Sequence, residues 1–191
     1  MINQLKEIAG IFAKVAEDED RRLNDLCGEG IFFMPELAFA YACGKSVMEN
    51  RNKIFGETSV TWVREQNFGA GGPSDLVFAF PDGKKIVVEF KMRDKLHKYL
   101  DDIKKLEKLD SASNARIFCV LLDPFTDHHT DNNHDSRIKQ IESTAVKSYP
   151  LIRLNAPFPY FPTRQHWYNK EIFCVVAAWS VGEPPSVNLL Q

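Results

Sequence analysis

From Asn3 to about Leu26, apolar residues recur at Leu5, Ile8, Phe12 and Val15, and again at Leu23 and Leu26. This is the spacing of one helical face. The acidic run Glu17-Asp18-Glu19-Asp20 reads as a solvated face, and Gly28 and Gly30 end the pattern. A second helix begins near Pro35, a residue suited to a first turn, and runs to about Asn50. Thr58–Gln66 reads as a strand, and Asn67–Ser74 as a glycine-rich loop. Leu76–Phe80 and Lys85–Met92 alternate as strands around the turn Pro81-Asp82-Gly83. An amphipathic helix follows, with Leu96, Tyr99, Leu100, Ile103 and Leu106 on one face. The nearly unbroken apolar run Arg116–Leu122 predicts a strand covered on both sides. A helix from Ser136 to about Ser148 and strands at Leu151–Leu154 and Ile172–Val181 complete the order. Hairpins followed by a helical crossover to a buried strand predict an α/β fold, with a mixed β-sheet flanked by helices.

Within the hairpin, Ile86, Val88, Phe90 and Met92 share one face, and Val87, Glu89 and Lys91 share the other. If Phe80 pairs with Lys84, paired positions sum to 164, and Asp75 falls opposite Glu89. A one-residue slip would put Asp75 on the Phe90 face, against the alternation. The Cβ atoms of Asp75 and Glu89 are then about 4.5–5.5 Å apart. Two carboxylates that close repel, and a divalent cation between them removes the conflict. Oxygen ligands of this kind suit Mg²⁺, with Mn²⁺ able to substitute. Lys91 lies two residues on, on the same face, where an ammonium can steady a phosphate oxygen or an attacking water.

Asp75, then thirteen residues, then Glu89-Phe90-Lys91 resembles the D-x(n)-(D/E)-x-K signature of the PD-(D/E)XK nuclease superfamily. The segment from about Pro35 to Leu122 also follows that family's α-β-β-β-α-β order, over roughly half of the chain. The resemblance implies a restriction-endonuclease-like core with an extra N-terminal helix and added C-terminal strands. It implies Asp75, Glu89 and the Phe90 carbonyl as metal ligands and Lys91 as the catalytic lysine. Glu36 is the match to a further glutamate that many members carry on the helix before the first core strand. The implied activity is metal-dependent, endonucleolytic hydrolysis of phosphodiesters, with DNA ahead of RNA. The rival reading is an inactive nuclease-fold domain that binds nucleic acid or protein. Two departures stand out. Ser74 precedes Asp75 where the motif has proline, which here is Pro73, and Lys95 stands four residues before Tyr99 where one branch of the superfamily has glutamine.

Bulk properties alter this picture little. The 191 residues suit one domain over 1–191, and 44% hydrophobic with 26% charged residues is ordinary for a globular protein. The net charge of −2 gives no nucleic-acid signature, so any such surface must be local. Lys84–Lys108 holds nine basic and five acidic residues, a basic strip beside the proposed site. Four scattered cysteines, no signal-peptide pattern and no apolar run of membrane length predict a reduced, cytoplasmic protein without a membrane partner. Cutting both strands of a duplex needs two sites, which a homodimer would supply, and a chain with one modest basic strip can draw on a partner protein for DNA recognition. The His/Asp cluster from Asp127 to Asp135 reads as a polar loop rather than a zinc site. The aromatic stretch Pro157–Tyr168 reads as a packed loop ahead of a base-stacking surface.

Overall fold

The structure is a computed structural model, and it describes residues 1–69, 71–125, 135–145 and 150–185. Helix α1 spans Ile2–Cys27 and buries Leu5, Ile8, Phe12 and Val15, the face its periodicity predicts. Leu26 is 77% exposed, so the last turn has left the core. Gly28 ends the helix in the left-handed conformation (φ 76°), and its N–H donates to the Asn24 carbonyl at 2.9 Å. Helix α2 covers Glu36–Glu49, with Pro35 just outside it. A short helix α3, Arg51–Phe55, follows at once. Its five residues are too few to show a period, and no helix is predicted there.

Strands β1 (Thr61–Asn67), β2 (Pro73–Ala79) and β3 (Lys85–Met92) form an antiparallel meander. Helix α4 (Leu96–Glu107) carries the chain to β4 (Asn114–Leu122), which lies parallel to β3. After α5 (Ser136–Ala145) come β5 (Leu151–Arg153), β6 (Tyr160–Thr163) and β7 (Ile172–Val181). The sheet order is β1-β2-β3-β4-β7, and the outer edge of β7 is shared by β6 at one end and β5 at the other. Strand β6 lies inside the stretch predicted as a loop. It contains Pro162, and its partners on β7 leave the opposite side of β6 unpaired, a place where a strand tolerates proline.

The two faces of the sheet carry separate apolar layers. Leu76, Phe78, Ile86, Val88, Phe90, Ile117 and Cys119 pack under α1, α2 and α3. Val77, Val87, Phe118, Val120 and Trp179 pack under α4 and α5. Successive residues of β3 and β4 serve opposite layers, as the pleat requires. The hairpin register is the predicted one: Leu76 faces Val88, Val77 faces Val87, and Phe78 faces Ile86. Cys43, Cys119 and Cys174 are buried thiols and Cys27 is exposed, all four free. No helix of the described residues is long and apolar enough to cross a membrane.

Candidate active site

The β2–β3 ladder stops at the Leu76–Val88 pair, one step short of Asp75 and Glu89. The Asp75 side chain takes over, its carboxylate accepting the Phe90 N–H at 2.7 Å. Phe90 itself is clamped from below, edge-on to Phe12 (4.9 Å) and Phe39 (5.3 Å). The end of β3 is therefore held from the apolar side, while Glu89 and Lys91 turn to the α4 side.

Helix α4 supplies two residues that the sequence counts only in the charged strip and not in the site. Lys105 places its ammonium 2.8 Å from Glu89 Oε1 and also donates to the Pro73 carbonyl. The approach to Glu89 lies outside hydrogen-bond geometry, so buried Oε1 has an ionic partner but no hydrogen-bond donor. Asp102, one turn earlier on α4, lies 3.3 Å from Lys91 Nζ. Glu36, at the start of α2, completes the set. Its Oε1 accepts from Lys91 Nζ at 3.1 Å, and its Oε2 accepts the Met92 N–H at 2.8 Å. The structure thus brings Asp75, Glu89, Lys91 and Glu36 to one place, with Glu36 bonded to the lysine and its charge felt by Asp75.

Burial sets the electrostatics. It pushes Asp75 up to about 6, with the Glu36 charge adding to the effect, against the pull of the Phe90 N–H and the two lysines. It pushes Glu89 up to about 7, next through the charge of Asp75, partly opposed by Lys105 and Ser74. Ser74, where the motif has proline, is thus a buried hydroxyl that favours the Glu89 anion. Burial pulls the Lys91 ammonium down, but the charges of Asp102 and Glu36 outweigh it and hold Lys91 above its ordinary value. Burial also raises Asp102, against Lys91. Four carboxylates surround two ammoniums here, so the fully ionised cluster carries −2. One divalent cation would neutralise it.

The donor set fits a hard cation. Asp75 and Glu89 offer carboxylates and Phe90 a carbonyl, and one or two carboxylates plus water are what Mg²⁺ asks of a protein. Among the described residues no group of three or more His, Cys, Asp or Glu side chains is placed to hold a metal. The basic strip is not one surface. Lys91 and Lys105 are inside the cluster, Lys84 pairs with Asp82, and Lys85 lies over Phe68, while Lys95, Lys98, Lys104 and Lys108 remain exposed around α4. Residues 127–134 of the His/Asp segment lie outside the described residues. Asp135, at its end, pairs with Arg137, which also binds Asp123.

Asp102 and Lys105 flank the buried stripe Tyr99, Ile103 and Leu106. Polar positions bordering the apolar face of the helix after the E-x-K strand are the signal that would have found them. No family model matches the chain, and neither a curated protein nor a solved structure matches it.

Proposed function

We propose that this chain is a metal-dependent nuclease of the PD-(D/E)XK kind, hydrolysing phosphodiester bonds in nucleic acid, DNA ahead of RNA. The observation that carries this reading is the pair Asp75 and Glu89 at the open end of the hairpin, both with raised pKa values, beside Lys91. Such a pair is costly to keep in a fold unless a cation uses it. The α-β-β-β-α-β run from α2 to β4, with the short α3 inserted, supports the restriction-endonuclease-like assignment.

Mg²⁺, when bound, supplies charge neutralisation and water activation. The chain's own residues do the rest. Asp75 and Glu89 would hold the cation together with the Phe90 carbonyl. Lys91, kept protonated by two carboxylates, acts as a fixed positive charge on the phosphate and not as a base. Glu36 positions Lys91 and pins the strand end through the Met92 N–H. Lys105 screens Glu89 and is within reach of the same space. The glycines of the loop before β2 have open space where side chains would project, so a phosphate backbone meets little steric opposition there.

A second reading has one observation in its favour. Both site lysines already have carboxylate partners, so the cluster is partly neutralised from within, as in a domain that binds nucleic acid or protein without cutting. A cleavage assay decides between them. Wild type and Lys91→Ala are incubated with single-stranded, duplex and branched DNA and with RNA, in Mg²⁺, Mn²⁺ or EDTA. Metal-dependent cleavage lost in the variant establishes the nuclease. No cleavage of any substrate in either metal leaves the binding module.

A further inference from the structure

The parallel strands β3 and β4 end together, and in open α/β sheets ligands gather at the carboxyl ends of such strands. Glu89 and Lys91 lie at that end. Arg93 follows Lys91 by two residues, about 7 Å along the backbone. Its backbone is in the left-handed region (φ 40°), held by an N–H bond to the Leu121 carbonyl at 3.0 Å. The guanidinium sits in a ring of aromatics. It lies 5.1 Å from the Trp167 ring centroid, 5.7 Å from Phe32 and 6.0 Å from Tyr168, and donates to Gln165 Oε1 at 3.0 Å. Tyr168 is tied down in turn, its hydroxyl donating to Asp123 at 3.1 Å just past the end of β4.

Trp167 is the member of this group that faces out, with 45% of its surface exposed. His166 stands edge-on to it at 4.6 Å, and the exposed Arg164 is close by in sequence. An exposed indole backed by a buttressed guanidinium has the chemistry of a base-stacking platform.

We propose that Trp167, supported by Arg93 and Tyr168, is a stacking shelf for an unpaired nucleobase next to the scissile phosphate. The substrate class is then single-stranded nucleic acid, or the unpaired end or flap of a branched one. An intact duplex keeps its base faces inside the stack and cannot offer them to the indole. This rests on the nuclease reading only for the neighbouring phosphate; the stacking itself does not need catalysis.

The test is fluorescence anisotropy in EDTA with a labelled oligo-dT strand, its RNA counterpart and a blunt duplex, for wild type, Trp167→Ala and Trp167→Phe. The shelf predicts single strands bound in preference to duplex and a roughly tenfold loss for Trp167→Ala. The duplex should change less than twofold, and Trp167→Phe should stay close to wild type. Equal binding by Trp167→Ala and wild type overturns the shelf, as does an equal loss on strand and duplex, or no oligonucleotide binding by wild type. Cleavage in Mg²⁺ by the same proteins separates the two claims. Cleaving wild type with an unaffected Trp167→Ala sinks the shelf alone. Strand binding lost in Trp167→Ala with no cleavage by wild type sinks the nuclease alone.

Discussion

At the scale of single residues, Lys91 sits between two carboxylates, 3.1 Å from Glu36 and 3.3 Å from Asp102, with a fifth of its side chain exposed. A hairpin face left to solvent would tolerate truncation, but α4 covers this one. Lys91→Ala should therefore abolish cleavage and also cost about 1–3 kcal/mol, because two acids lose their partner. Lys91→Arg should recover most of the stability, as chemical denaturation would show. Asp75 argues the opposite way. Asp75→Asn keeps an acceptor for the Phe90 N–H but removes a buried charge beside Glu89. In EDTA at pH 8 the variant should be more stable than wild type by about 1–2 kcal/mol, while its Mg²⁺ affinity falls. A lower melting temperature would mean that Asp75 is not held against its charge. Asp75, Glu89 and Lys91 were legible because strand parity and a tight turn fix which side chains meet. Asp102, Lys105 and the buttressing of Arg93 were not, because they depend on how α4 and the 163–168 segment fold back, which no local pattern encodes.

At the scale of elements, α2 must lie close to β1 for Glu36 to reach β3. Gly44 permits this, since a Cβ there would come within 2.5–2.6 Å of the Trp62 ring. Gly44→Ala would gain up to about 1 kcal/mol of helix propensity and lose about 1–3 kcal/mol to overpacking. The expected result is a less stable protein with reduced cleavage, because the displaced helix carries Glu36 away from Lys91. Unchanged melting and activity would show that the helix has room to spare. The long elements were readable from the chain: α1 and α4 span enough residues to display a helical period, α2 opens at Pro35, and β4 is a nearly unbroken apolar run. Short α3 and β6 owe their form to neighbours: α3 to packing of Ile54 and Phe55, β6 to the free edge of β7.

At the scale of the whole molecule, protons and metal compete for the same carboxylates. Asp75 and Glu89 move from ordinary values of 3.8 and 4.5 to about 6 and about 7 on folding. The metal-free fold thus retains protons that the unfolded chain has lost, and its stability should fall as pH rises from about 4 to about 7. Metal binding runs the other way, strengthening through the same window as the carboxylates ionise. Thermal melts with EDTA or Mg²⁺ at pH 5 and pH 8 should show a metal-induced rise at pH 8 that nearly vanishes at pH 5. A rise of equal size at both would place the cation elsewhere. One contact gives the molecule a history as well as a shape. The buried carboxylate of Asp20 accepts hydrogen bonds from the Ile31 N–H and from the Thr163 hydroxyl, 143 residues downstream. At ribosomal speeds of about 5–20 residues per second, that carboxylate waits roughly 7–30 s for its second partner to be synthesised. Through that interval part of the apolar face of α1 has no β7 to rest on and stays open to water.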